Sequence, residues 1–268
     1  MLFNTIEGPE IIGNGAFENC QKLMLAPLGT GVKNIGNSSF KNCKNLVSIN
    51  LSEGLEQIGK NAFENCCCIP QDYEVRIPSK DNKQPEMQKV KIPNKIIVSI
   101  PKTVENIGEY AFAGCQNISY VHMMDGCKVQ EIQDGTFQGC DKLELFDISN
   151  EVQTIGEEAF KDCKSLKQIT CLDKAGLPEK MKEIKSKAFE NCENLGFVLT
   201  NGEVKREPDS FNNTQKKTEA NIKDLEANVE VRDGEVFDVI KSGQKEKTFS
   251  LQSIKKAINN VKNKGQSR

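Results

Sequence analysis

Ile12-Gly13-Asn14-Gly15-Ala16-Phe17-Glu18-Asn19-Cys20 returns as Ile35-Gly36-Asn37-Ser38-Ser39-Phe40-Lys41-Asn42-Cys43, and again as Ile58-Gly59-Lys60-Asn61-Ala62-Phe63-Glu64-Asn65-Cys66. Further copies are anchored at Ile107/Phe112/Cys115, Ile132/Phe137/Cys140, Ile155/Phe160/Cys163 and Ile184/Phe189/Cys192. A worn copy carries Phe211, with Thr214 where Cys should stand. The Phe anchors are spaced 23, 23, 49, 25, 23, 29 and 22 residues apart, so the base period is 23. Self-similarity at a fixed period of about 20–50 residues is the sequence mark of a solenoid, propeller or array. The 49 exceeds one period by 26 residues, which reads as an insertion, and the 29 reads as a 6-residue loop extension.

Each unit has a physical reading. In Leu46-Val47-Ser48-Ile49-Asn50-Leu51, Ile49 and Leu51 lie two apart on one face of a strand, and Ser48 and Asn50 face the other way. Ala62-Phe63-Glu64-Asn65-Cys66 suits a helical or 3₁₀ turn that puts Phe and Cys on one side. Gly59 is expected to permit the tight corner before it. No single unit can bury its own apolar residues, but stacked units can, with a parallel sheet on one side and a Phe spine on the other.

The pattern I-G-x-x-A-F-x-x-C-x-x-L-x-x-I-x-L resembles the BspA-like leucine-rich repeat of bacterial and protist surface antigens, over about residues 10–214. The resemblance implies a leucine-rich repeat solenoid that binds proteins through the concave face of its sheet, often in adhesion and at the cell surface. The chain then divides into a repeat domain over 1–214 and a C-terminal segment over 215–268. The repeat domain has about eight units, with a 26-residue insertion within about 67–97.

Two segments fall outside the repeat. Within the insertion, Tyr73–Ile77 and Lys89–Ile92 alternate polar and apolar around a polar loop, which predicts a protruding hairpin, with a decayed repeat as the alternative. In the tail, Asp233-Gly234 between Val229–Arg232 and Glu235–Phe237 signals a second hairpin. Leu251, Ile254, Ala257, Ile258 and Val261 follow a helical period. Residues 241–268 carry eight Lys/Arg and one Glu. A hairpin-plus-helix cap on the solenoid is expected there. The alternative is an intracellular adaptor whose basic segment holds an anionic partner.

Composition excludes several classes of function. Hydrophobic residues are 37% and aromatics 6% of 268 residues, with no Trp, too few for one large compact core. Lys+Arg (36) and Asp+Glu (38) nearly balance, so a nucleic-acid partner is not expected. No apolar run reaches about 18 residues, so no transmembrane helix is expected. Residues 1–8 lack the basic and apolar regions of a signal peptide, which sets a cytoplasmic location beside the surface one that the resemblance implies. His122 is the one histidine, which leaves little room for His-based catalysis or metal binding. Gly29-Thr30-Gly31-Val32-Lys33-Asn34 lacks the third glycine of a dinucleotide loop. No enzymatic activity, cofactor or metal is expected, and the chain is expected to be a monomer.

Seven of the eleven cysteines share one repeat position, where they read as reduced, buried small hydrophobes. Cys127, in a loop, reads as the best candidate for a reactive thiol. The candidate partner-binding residues are the outward side chains of the strands: Ser48, Asn50, Tyr120, His122, Leu145, Asp147, Gln168, Thr170, Phe197 and Leu199. Leu25 joins them if the first unit keeps register. Outward positions on a one-sided sheet should be polar when they meet only water. Tyr120, Leu145, Phe197 and Leu199 are not, which predicts an apolar patch for a protein or peptide ligand, with Asp147 and Gln168 at its polar rim.

Overall fold

The computed structural model describes residues 9–26, 28–68, 95–171, 176–196, 198 and 204–214 in full, and elsewhere only the backbone of short strands. In chain order the strands are β1 (Ile11–Ile12), β2 (Asn34–Ile35), β3 (Gln57–Ile58), β4 (Asp72–Ile77), β5 (Glu86–Lys91), β6 (Ile96–Ile100), β7 (Asn106–Ile107), β8 (Ile118–Met123), β9 (Glu131–Ile132), β10 (Leu145–Asp147), β11 (Thr154–Ile155), β12 (Gln168–Cys171), β13 (Lys174–Ala175), β14 (Glu183–Ile184), β15 (Val198–Thr200), β16 (Lys205–Arg206), β17 (Glu219–Asn221), β18 (Val229–Arg232) and β19 (Glu235–Asp238). They stack as a parallel β-solenoid of about seven turns. The short corner strands form two parallel ribbons, β1-β2-β3-β7 and β9-β11-β14-β16. The longer strands form a five-stranded sheet in the order β6-β8-β10-β12-β13, parallel except for β13.

The Phe residues form the expected spine. From Phe17 to Phe211, eight rings stack in sequence, with centroids 5.0–5.6 Å apart and planes within 16° of parallel. That spacing is close to the roughly 4.8 Å between neighbouring strands and lies in the range of offset-stacked aromatic pairs. Phe146 closes the core from the sheet side, edge-on to Phe137 and Phe160 at 5.0 and 4.9 Å.

The turns that carry the spine are not helical: among the described residues there is no helix or 3₁₀ element. The reason lies in how the amides are shared. Ala62 N donates to Gly59 O, Glu64 N to Asn61 O and Cys66 N to Phe63 O, all within the turn. The alternate amides leave it: Asn61 N donates to Glu109 O, Phe63 N to Ala111 O and Asn65 N to Ala113 O of the next unit. A helix would consume all of them locally. Alternation requires a left-handed residue on each side of the Phe, and the series Asn42, Asn65, Asp162 and Asn191 shows φ of 57–63°, with Gly114 and Gly139 at 69°. Asn and Gly are the residues that accept this conformation at least cost.

The corner glycines also have a different reason from the expected one. Gly59, Gly108 and Gly156 do not lie at positive φ. A Cβ on them would instead come within 2.6, 2.5 and 2.6 Å of the backbone nitrogens of Asn37, Lys60 and Asp134 in the preceding unit. Glycine is needed for close stacking, not for the turn.

β4 and β5 pair antiparallel across the insertion, Asp72 opposite Lys91 through Ile77 opposite Glu86. β18 and β19 do the same around Asp233-Gly234. β15 pairs parallel with β17, so strand stacking runs past Thr214. The helix expected over Leu251–Val261 lies outside the described residues. Among the described residues, no helix is long and apolar enough to cross a membrane.

All eleven cysteines are free thiols. In six successive units the Cys Sγ donates to the carbonyl of the preceding unit's Phe at 3.0–3.3 Å, from Cys43 on Phe17 to Cys192 on Phe160. This explains Cys rather than Ala, because the thiol fills the space and also satisfies a core carbonyl. Cys127 is buried, with its thiol against Val104 O, and burial pushes its pKa up, so it is not the reactive thiol expected from its loop position. Cys20, in the first unit, is the exposed one.

Phe160→Ala should cost about 3–5 kcal/mol in urea unfolding, and a loss below about 1 kcal/mol would show that the spine is not close-packed. Thiol titration should find eleven reactive groups in denaturant but fast reaction of Cys20 alone in the native state. Fast reaction of several thiols under native conditions would contradict the buried row.

Candidate functional site

The five-stranded sheet buries Val98, Ile100, Val121, Met123, Phe146 and Ile169 on its inner side. Its register then aligns the outward residues of four adjacent strands. Ile97, Tyr120, Leu145 and Gln168 make one row, and Ser99, His122, Asp147 and Thr170 the next. Period-two alternation makes this automatic once the inner face is apolar.

The first row is apolar over three strands. Ile97 is 58% exposed and Leu145 38%, with the half-buried Tyr120 between them. The second row is polar and internally bonded. His122 Nδ1 lies 2.8 Å from Asp147 Oδ2, and Thr170 Oγ1 donates to Asp147 Oδ1 at 2.9 Å. Asp147 is therefore buried between its neighbours, at 8% exposure, rather than standing at a solvated rim. A carboxylate with both oxygens engaged is stable there because its two partners replace its water. The rings of Tyr120 and His122 lie 6.1 Å apart, which ties the two rows together. At the entrance to the strands, Glu144 bonds both Lys95 and Lys167, and these ammonium groups hold its carboxyl down to about 2.

Six of the sequence-predicted residues come together here: Tyr120, His122, Leu145, Asp147, Gln168 and Thr170. Ser48 makes an isolated bridge with Leu25 outside this sheet, and Asn50 is exposed beyond it. Phe197 lies outside the described residues, and for Leu199 only the backbone is described. That backbone belongs to β15, which is not part of the five-stranded sheet. The loop extension of the preceding unit intervenes: it folds back as β13, setting Ala175 against Thr170, and takes the edge of β12. Ile97 was missed because the insertion separates it from its own unit. The signal was Ile97-Val98-Ser99-Ile100, which aligns with Tyr120-Val121-His122-Met123.

The family of BspA type leucine rich repeat regions matches in six copies, over residues 10–94, 91–218 and 171–258. The chain belongs to this family. Solved structures of similar fold include two other repeat chains. One, from Bacteroides ovatus, is 22% identical with TM-score 0.54, over 74% of this chain and 48% of that one. The other, from Eubacterium ventriosum, is 23% identical with TM-score 0.48, over 69% and 41%. The Treponema pallidum leucine rich repeat protein is 21% identical with TM-score 0.46, over 74% and 69%. This BspA-type chain thus spans less than half the length of the first two. A search of curated proteins gave no match. Repeat proteins of this class are commonly used for protein interaction, and their stacked units present extended surfaces suited to it.

Asp147→Ala removes the acceptor shared by His122 and Thr170. It should cost about 1–2 kcal/mol in urea unfolding, while loss of less than about 0.3 kcal/mol would mean that the polar row contributes nothing to the sheet.

Proposed function

We propose that this chain is a non-enzymatic binding module that holds a protein or peptide on the outward face of the β6-β8-β10-β12 sheet. The observation that carries the reading is the row Ile97–Tyr120–Leu145. A one-sided sheet facing only water should be polar there, and a repeat protein can change outward residues without disturbing its core. The ligand's apolar side chains would cover Ile97 and Leu145. The adjoining row of Ser99, His122 and Thr170 would meet its polar groups, with Asp147 holding His122 and Thr170 in place from its position between them. Tyr120, an amphipathic ring in the middle of the apolar row, is of the type enriched at binding hot spots. Surface display and adhesion, as implied by kinship with surface antigens, would follow as the setting for such binding.

A phage-displayed peptide library selected on the whole chain tests this. Peptides obtained on the parent should bind an Ile97→Ser, Leu145→Ser variant at least about tenfold more weakly, near 1.4 kcal/mol, with the fold unchanged by circular dichroism. Selected peptides that bind parent and variant equally would place the site elsewhere.

A further inference from the structure

We propose a second binding site, for a neutral carbohydrate, in the groove that Tyr110 walls on the Phe-turn side of the solenoid. The cavity there, about 550 Å³, is lined by Tyr110, Asn61, Asn65 and Gln138, with Gly114 and Gly139 in its lining as well. It is an open groove rather than an enclosed pocket, the form suited to one face of an extended ligand.

The chemistry of the walls selects the ligand. The amide nitrogens are already engaged: Asn61 Nδ2 donates at 2.6 Å to Oε2 of Glu64, which also lines the groove, Asn65 Nδ2 to Asn42 Oδ1 at 3.2 Å, and Gln138 Nε2 to Glu158 Oε2 at 2.9 Å. The three amide oxygens have no hydrogen-bond partner among the described residues, so the groove offers acceptors. Its cations are already paired, Lys41 with Glu64 at 2.8 Å and Lys60 with Glu109 at 2.5 Å, which leaves no free charge to attract an anion. The Cδ1–Cε1 edge of Tyr110 fills the space a side chain at Gly135 would need, which fixes the ring, and the half-buried remainder lines the groove. Burial, and then nearby carboxylates led by Glu158, raise the pKa of its phenol, so the hydroxyl remains a donor. A flat aromatic surface beside several acceptors and no net charge matches a pyranose. The C–H face of the sugar covers the ring while its hydroxyls donate to the amides. A peptide of the same area brings far fewer donors.

The parent chain, a Tyr110→Asn variant and a Gly139→Asn variant are to be compared on an array of neutral and anionic oligosaccharides. Asn61 already occupies, in the preceding unit, the left-handed position that Tyr110 holds, so Asn is compatible with it. Gly139 has φ +69°, and a Cβ there meets only Gly114 atoms, at 3.8 Å, so Asn at 139 fits the turn while filling the groove. The parent should bind at least one neutral oligosaccharide, and each variant should bind it at least about tenfold more weakly with an unchanged melting temperature, a factor equal to about 1.4 kcal/mol. If Tyr110→Asn does not fold, Gly139→Asn decides alone. Absence of neutral-glycan binding by the parent, binding confined to sulfated or sialylated glycans, or parental affinity in a folded variant would each overturn the proposal. Peptide binding on the opposite sheet is unaffected by these variants and reports separately.

Discussion

The structure depends on a division of labour among the amides of each Phe turn. Every second N–H closes a short turn within the unit, and the others bond carbonyls of the next unit, as in Phe40 N to Ala62 O at 2.8 Å and Phe160 N to Ala188 O at 2.8 Å. This one arrangement keeps the units in register on the side away from the sheet. It also explains why a solenoid with few aromatics and no large core is stable: each unit's backbone is satisfied only when its neighbours are present.

Three sequence features follow from it. The left-handed residues flanking each Phe are Asn, Gly, Ser or Asp in most units because alternation of the amides requires that conformation. The Asn side chains then form a ladder of their own, Asn42 on Asn19 at 2.9 Å and Asn213 on Asn191 at 2.9 Å. Corner side chains cap the following unit, Asn14 Oδ1 accepting from Asn37 N and Asp134 Oδ1 from Glu157 N at 2.8 Å each. Such a cap works only if the next residue chain passes very close, which is why Gly36 and Gly156 lack a side chain. The Phe rings, held at the spacing the backbone sets, then stack without strain.

The core was legible in the sequence because stacking forces every unit to repeat it. Ile58, Phe63 and Cys66 recur at fixed offsets, and from them the parallel sheet, the spine and the reduced thiols all follow. The turn conformation was not legible by the same route. Phe and Cys three apart on one side fit a helical turn as well as the alternating one, and only the run of Asn and Gly beside them distinguishes the two. Of the sheet face, Tyr120, Leu145 and Gln168 were legible from strand alternation. Ile97 was hidden by the insertion, and the displacement of β15 from the sheet could not be read because a 6-residue extension carries no sign that it will fold back as β13. Cys127 was misplaced because a loop position says nothing about depth when the loop itself is stacked.

A repeat protein separates what holds it together from what it does more sharply than an ordinary domain. At inward positions the same residue returns because a neighbouring copy must accept it, and a departure costs stability. At outward positions the core imposes no residue, and apart from the Asp147 contacts to His122 and Thr170 what is written there is free to answer to a partner. The rows Ile97–Tyr120–Leu145–Gln168 and Ser99–His122–Asp147–Thr170 change residue at every strand, while the inner positions beside them remain apolar throughout. Tyr110 breaks its turn series in the same way, the one aromatic in a row that otherwise reads Gly15, Ser38, Asn61, Gly135, Glu158 and Lys187. Residues that break the repeat without breaking the stack are the ones whose presence the fold does not explain, and the places where this chain differs most between units are where recognition has room to act.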